Sequence, residues 1–417
     1  MQTVHVRAAE EAELDRLARL WHEGWHESHA PIVPADLTRL RTLESFRQRL
    51  HDALADIRVV GAPGDPAGFC VIARNLPLSL RAGGALATSR MLSYYSVGAS
   101  SVQGALGRRR VPEILAYCGE LAAKADSPYA HAFLAFAHGM VGFLQGHWRE
   151  SQQHFQRAEQ VFTQDCTGVA WELATTRLFP LWNLLHMGQY KELRRLAPAL
   201  WQEGRERGDL YLATSIGSGP HPAAELMAGH PDEAMALLDE ALSQWTRQKY
   251  SLQFVTAAVN RAWIHLYKDE GGKALEFLNQ EWPALKKHHY LRLSGSRQWL
   301  YFARAQAALS VGQYSAAERD AWRLASDATH FAKILASVVR AGCARMRGSE
   351  PKCIALLEEA GSEFDASGMR MLAAAVRYRL GGLTGNRCLI EEASRVMSSE
   401  GIVDPERYAS IFANGFQ

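Results

Sequence analysis

The chain has 417 residues, of which 47% are hydrophobic and 22% charged, and its 46 basic and 44 acidic side chains leave a formal net charge of +2. This is an ordinary globular composition, and it provides no global field to draw the chain toward nucleic acid or a membrane surface, so neither is expected as a partner. The length suits two or three ordinary domains, or one long solenoid with a smaller domain beside it.

Six cysteines, Cys70, Cys118, Cys166, Cys343, Cys353 and Cys388, form no Cys-x-x-Cys pair. That spacing argues against a zinc ribbon or a redox motif and fits a reducing cytoplasm. The first twenty residues, MQTVHVRAAEEAELDRLARL, are acidic and contain no apolar core segment, so a signal peptide is not expected. The most apolar window, residues 129–146, is interrupted by His131, His138 and Gln145 and reads as a buried helix rather than a membrane span.

At the N-terminus, residues 4–7 alternate like a short strand, and Ala8-Ala9-Glu10-Glu11 opens a helix with an acidic first turn. Leu14, Leu17, Ala18, Trp21 and Trp25 keep a helical stripe. A loop bounded by prolines, Ala30-Pro31-Ile32-Val33-Pro34, leads to a second helix carrying Leu43, Phe46, Leu50 and Leu54. Apolar runs at 57–60 and 68–72 then flank Gly61-Ala62-Pro63-Gly64-Asp65-Pro66, the pattern of a β-hairpin with a longish loop. Within the first helix, His22-Glu23-Gly24-Trp25-His26 spells H-E-x-x-H, with His29 and Glu27 nearby. Gly24 weakens the helix that such a motif requires, and no metal site is expected. His221 and the pair His288-His289 lack a third ligand and read as loop residues.

Beyond residue 78 a different grammar takes over. In FLQGHWRESQQHFQRA, Gly146 and Trp148 sit at a break between two apolar-periodic segments, and Ser151, Phe155 and Ala158 follow at helical spacing. Glycine supplies a permissive backbone at the helix end, and a small residue five positions on lets the second helix come close. Gly188, with Tyr190, Leu193, Ala197 and Leu200, repeats the pattern, as does Gly312 with Tyr314, Ala317, Ala321 and Leu324. Weaker copies start at Gly107, Gly229, Asp269, Gly348 and Gly385, so that successive starts lie 39, 42, 41, 40, 43, 36 and 37 residues apart. A period in this range means stacked helical pairs. Arg108, Arg109 and Arg110 read as a solvated turn before a helix near Pro112.

Three resemblances attach to these segments. The Gly-x-aromatic-x-x-small turn resembles the tetratricopeptide repeat (TPR), although that family's period is shorter. VRAAEEAELDRLARLWHEGW, the HAPIVP loop, LRTLESFRQRL and the VVGAPGDPAGFCVI hairpin resemble the first half of a GNAT-type N-acetyltransferase over residues 1–72. That family grips the acetyl-CoA pyrophosphate on a glycine-rich turn at a helix N-terminus. Here Arg81-Ala82-Gly83-Gly84-Ala85-Leu86 comes near the pattern but ends on Leu86 and lacks the preceding strand. The segments GGALATSRML, LQGHWRES, CTGVAWELATTRLF, RGDLY, EWPAL, DASGM and GIVDPERYASIFANGF resemble the C-terminal helical-repeat region of large bacterial serine/threonine protein kinases. Kinase loops and a Gly-x-x-x-x-Gly-Lys-Ser/Thr phosphate loop are absent, and Gly271-Gly272-Lys273-Ala274 lacks the earlier glycine and the hydroxyl.

The expected fold is therefore mainly α: a TPR-like, right-handed helical-hairpin solenoid over 78–417, preceded by a small, partial GNAT-like α+β segment over 1–72. The expected function is that of a non-catalytic protein-interaction or regulatory scaffold in bacterial signalling, cytoplasmic and without catalytic residues, metal or cofactor. Its partner is expected to be a protein or peptide, with a kinase or ATPase module as one form. The alternative is a GNAT-type N-acetyltransferase with an atypical or lost acetyl-CoA site. The first helices of the pairs should line a concave face, and Trp171, Glu172, Thr175, Arg177, Arg207, Asp209 and Tyr211 are the polar and aromatic residues expected to form a partner-binding groove there. Trp171 and Trp182 equally suit the interhelix core.

Because the 81–86 turn lacks the full glycine pattern, calorimetric titration with acetyl-CoA is expected to give no saturable heat. Micromolar binding that disappears when Gly83 and Gly84 are replaced by bulky residues would establish the acetyltransferase reading instead.

Overall fold

A computed structural model of the protein describes residues 6–29, 35–52, 54, 57–62, 65–71, 84–101, 105–245 and 250–416. The chain forms two compact units that divide between Met91 and Leu92. The proline-bounded loop at 30–34, the hairpin tip at 63–64, Ile72 and the Arg81-Ala82-Gly83 part of the glycine turn lie outside the described residues.

In the first unit, β1 (Val6–Ala8), β2 (Ile57–Ala62) and β3 (Asp65–Val71) form an antiparallel sheet in the order β1-β2-β3. Val6 pairs with Val60 and Ile57 with Val71, with a register shift at Val60/Gly61. Helices α1 (Leu14–His29), α2 (Ala35–Leu40) and α3 (Leu43–Asp52) complete the unit. Leu14, Leu17, Ala18, Leu50, Ile57 and Val59 are its buried centre. The first helix starts later than its acidic run implies. Glu13 accepts from Arg7 at 2.8 and 2.5 Å and from the Glu10 backbone N–H at 2.9 Å, so Ala8 stays in the strand, Glu10 caps, and a single 3₁₀ turn, Glu11–Glu13, precedes α1. His26 donates a ring N–H to the Arg41 carbonyl at 2.9 Å, and no cluster of three metal-ligating side chains exists among the described residues.

The described residues after β3 contain only helices and connections. They are α4 (Ala85–Ser101), through which the unit boundary passes, α5 (Ala105–Ala125), α6 (Pro128–Gln145), α7 (Trp148–Asp165), α8 (Ala170–Met187) and α9 (Tyr190–Glu206). Then come α10 (Leu210–Gly217), α11 (Pro220–Met227), α12 (Pro231–Gln244), α13 (Leu252–Tyr267), α14 (Gly271–Lys287) and α15 (Ser294–Ser310). The unit ends with α16 (Tyr314–Ala325), α17 (His330–Met346), α18 (Glu350–Ala366), α19 (Arg370–Thr384), α20 (Arg387–Ser399) and α21 (Pro405–Phe412). None of the described helices is long and apolar enough to cross a membrane.

The repeat grammar maps onto the turns. Gly146, Gly188, Gly229, Gly312, Gly348 and Gly385 all have φ between 68° and 89°, and Asp269 sits at 59°. At Gly146 the His147 N–H reaches back to the Gly142 carbonyl at 2.8 Å and the Gly146 N–H to the Phe143 carbonyl at 3.2 Å, and the same two bonds recur at Gly188, Gly229, Asp269, Gly312 and Gly348. This is the Schellman closure, which needs a left-handed residue and so favours glycine. The positions that follow the turn are buried: Ser151, Phe155 and Ala158, then Ala317, Ala321 and Leu324. Gly107 departs from the expectation. It lies inside α5, which begins at Ala105, so Arg109 and Arg110 stand exposed on a helix rather than a turn, and Pro112 lies within that helix.

An open solenoid would let each pair touch only its neighbours, but this unit closes on itself. Tyr190 and Tyr408 share a 2.7 Å hydrogen bond between their hydroxyls, the Asn414 N–H donates to Gln306 Oε1 at 2.7 Å, and the Trp148 ring meets Phe331 edge-on at 5.6 Å. Trp148 therefore does more than wedge its own pair apart. The closure also explains one turn glycine beyond its φ, since a Cβ on Gly188 would overlap the Met371 side chain of α19.

Gly312 has the same left-handed φ as Gly188 but open space where its Cβ would go. Gly312→Ala should therefore cost only the strain of that conformation, about 1–2 kcal/mol. Gly188→Ala should cost about 1–3 kcal/mol more, because Met371 must move. Denaturant midpoints of the two variants check this, and equal losses would mean that α19 does not approach Gly188 in solution.

Candidate ligand-binding cavity

The closed coil of the second unit surrounds a cavity of about 450 Å³. That volume lies within the ~300–1,000 Å³ of small-molecule sites. Its walls come from α4, α6, the start of α7, α8, α10, α13, α15 and the start of α17, so first helices of successive pairs supply most of it. Phe143, Trp148, Phe179, Trp182, Trp299 and Phe331 make the aromatic side. Trp182 reaches its place because Gly219, at the break between α10 and α11, has no side chain; a Cβ there would collide with the indole.

The aromatic side is organised by His186. Its ring stacks on Trp148 at 4.9 Å between centroids and meets Phe143 edge-on at 5.5 Å. Its Nδ1–H donates to the Trp182 carbonyl at 2.6 Å, and its Nε2 accepts from the Trp299 indole N–H at 3.0 Å. Burial pushes the imidazole down from the usual 6.5 to about 4, against the raising effect of the Trp182 carbonyl, so the ring is neutral at physiological pH.

The cavity is also lined by a seam of amides and hydroxyls joining neighbouring helices. Gln253 Nε2 donates to Ser215 Oγ at 3.0 Å, and Asn260 Nδ2 to the Thr256 and Ser218 carbonyls at 3.0 and 3.4 Å. Gln298 Nε2 donates to Thr329 Oγ1 at 2.7 Å and to Ser294 Oγ at 3.0 Å. Behind this seam lies Asp327, which accepts from the Thr329 N–H and Oγ1–H at 2.9 and 2.8 Å and is ion-paired with Arg297. The carboxylate is thus spent within the wall.

Of the residues expected to form the groove, Tyr211 lines this cavity, and its hydroxyl lies 3.5 Å from Thr175 Oγ1. Burial raises the Tyr211 phenol above its usual range. Thr175 and Glu172 are buried in α8, where Glu172 Oε1 accepts from the Tyr129 hydroxyl at 2.9 Å. Arg177 bridges Glu159 and Glu203 at 2.8 and 2.7 Å, and Arg207 joins the same Glu203 at 2.8 Å. Asp209 caps α10 through the Leu212 N–H. Trp171 is 47% exposed and touches Phe136 edge-on. The structure thus gathers Arg177 and Arg207 in one ion network and Thr175 and Tyr211 in one contact, with Trp171 apart from both. His221, expected in a loop, is instead buried in α11 beside Trp201, because the first helix of that pair continues past Gly219 as α11.

The residues that sequence reasoning missed are His186, Gln253, Asn260, Gln298 and Trp299. Their signal was present as lone amides or imidazoles in otherwise apolar first helices, for example LQFVTAAVNRAWIHLY.

No family model matches the chain, and none of the curated proteins matches it. Among solved structures it is similar to a Rap protein whose crystal structure was determined in complex with Competence and Sporulation Factor. The TM-score is 0.54 at 12% sequence identity, over 94% of this chain and 99% of that one. At this identity the likeness establishes the fold, a TPR-like helical repeat.

The pH dependence of His186 follows with a definite sign. The unfolded imidazole takes up its proton near 6.5 while the folded one resists until about 4. Stability is complete above that window and falls as pH drops through it, by about 3 kcal/mol in total. His138 and His154 are shifted in the same direction by burial, so the measurement is a subtraction. The stability advantage of the native chain over His186→Phe should shrink by about 2 kcal/mol between pH 7 and pH 4.5 in denaturant melts. A difference independent of pH would place the imidazole in water.

Proposed function

We propose that this chain is a non-catalytic regulatory module that works by binding a protein or peptide partner, one segment of which enters the cavity of the second unit. The observation that carries this reading is the convergence of first helices from successive pairs on one inner space, lined by aromatic rings and by amides and hydroxyls. Helical-repeat proteins hold extended segments on such inner faces, and aromatic residues in water-excluded pockets are the usual anchors of an interface. The Rap protein of similar fold was solved together with a bound factor, which favours a binding role for the inner face here.

The resemblance of residues 78–417 to the repeat tail of bacterial signalling kinases points to a kinase or ATPase module in the cytoplasm as the partner. Its folded part would rest on Trp171, which is exposed, and on the Arg177–Glu203–Arg207 network nearby in sequence. Residues 1–72, which resemble the opening of an N-acetyltransferase, are assigned no catalytic role in this reading.

The test uses the full chain as bait in extracts of its native host, identification of what it retains, and titration of the purified pair. The expected result is one partner bound at one-to-one stoichiometry. Gly295→Phe should weaken that complex at least ~10-fold, the loss of about 1.4 kcal/mol of contact, because Gly295 lines the cavity and its Cβ would enter open space. Undiminished binding by Gly295→Phe would move the partner off the cavity.

A further inference from the structure

We infer that the cavity selects against charge, so that the segment it takes is an uncharged apolar or aromatic side chain. This rests on the reading of the cavity as the partner-binding site and adds what that site accepts.

Among the described residues that line the cavity there is no Lys, Arg, Asp or Glu. The titratable groups there are His186 and Tyr211. His186 has both ring nitrogens committed, one to the Trp182 carbonyl and one to the Trp299 indole, so it has no proton to offer an anion and no lone pair to offer a cation. Tyr211 is kept in its neutral form by burial. Behind the polar seam, Arg297 and Asp327 are paired with each other, and the Asp327 carboxylate is further saturated by Thr329. A ligand charge entering this space would lose its water and find no counter-charge, which is costly in a low-dielectric interior.

The unmatched polar atoms of the wall are likewise uncharged. Asn260 is 1% exposed; its Nδ2 is occupied by the Thr256 and Ser218 carbonyls, while its Oδ1 has no partner. Trp263, 3% exposed, has an indole N–H that also has no partner. Both residues line the cavity, three positions apart on α13 and therefore neighbours on one face. Neither atom supplies a charge, so the wall offers an incoming ion no compensation for its lost water.

The test is a displacement assay on the full chain. The reporter is N-phenyl-1-naphthylamine, an uncharged dye whose emission rises on entering an apolar site. Three competitors share one side chain and differ in charge: neutral N-acetylphenylalaninamide, anionic N-acetylphenylalanine and cationic phenylalaninamide. The neutral compound should displace the dye at a concentration at least ~10-fold lower than either ion. Gly295→Phe should abolish saturable dye binding without lowering the melting temperature. Ser296→Lys adds a cation at a half-buried lining position, and it should shift the preference toward the anion. A general taste for apolar compounds would not make that shift. Displacement by either ion as readily as by the neutral compound would overturn the charge selection while leaving the partner site in place. Absence of saturable dye binding to the native chain would overturn both.

Discussion

At the centre of the second unit's closure is one hydrogen bond between helices far apart in sequence, from the Trp299 indole N–H to Nε2 of the buried His186 ring. The Trp182 carbonyl takes the Nδ1 proton of the same ring, so the two bonds demand the same neutral tautomer and reinforce each other in the low dielectric of the interior. Protonation would set an N–H against the indole N–H and leave a buried cation unpaired. Around this ring, the Trp148 stack brings in α7, and the contacts of Trp299 and Trp148 with Phe331 bring in α17. Helices far apart in sequence are thereby held against one centre.

The C-terminal segment completes the closure. Trp263 and Trp299 meet edge-on at 5.2 Å, and Phe412 of α21 lies against both. Tyr408, fully buried one turn earlier, shares one hydrogen bond with Tyr190, one hydroxyl donating and the other accepting. Burial raises both phenols above their usual range, so the pair remains two neutral hydroxyls that satisfy each other. The final residues of GIVDPERYASIFANGF thus act as a plug, and Asn414 fixes that plug to α15 through Gln306.

What was legible in the sequence was local. A glycine that must adopt positive φ, followed by small and apolar residues at helical spacing, is fixed within about twelve positions, and the turn at Gly146 and its copies formed where that pattern stood. The same reasoning failed at Gly107, where the period matched but the surrounding residues are compatible with helix and no left-handed residue is required. The closure could not be read. Trp148, Trp299 and Phe331 have the spacing of ordinary interhelix core residues, and nothing in a one-dimensional period tells which of them face across the coil. The groove residues suffered the same ambiguity. Glu172 and Thr175 looked available and are instead committed to Tyr129 and Tyr211, because their face of α8 turns inward. The tryptophan-containing blocks stood out in the sequence, but nothing in them told what they enclose.

The two consequences of this arrangement, a closed coil and an inner cavity, are not independent. Trp148, His186, Trp299 and Phe331 line the cavity and also make the contacts that join α7 and α8 to α15 and α17. A ligand seated among them touches both sides of the closure at once. Its binding free energy therefore includes contacts that exist only while the coil is shut, and an opened coil would offer it half a wall. By linkage, the same differential must appear as added stability of the shut form when the cavity is occupied. The Tyr190–Tyr408 contact belongs to the same arrangement, since it is made by the helix that follows His186 and the helix that carries Phe412.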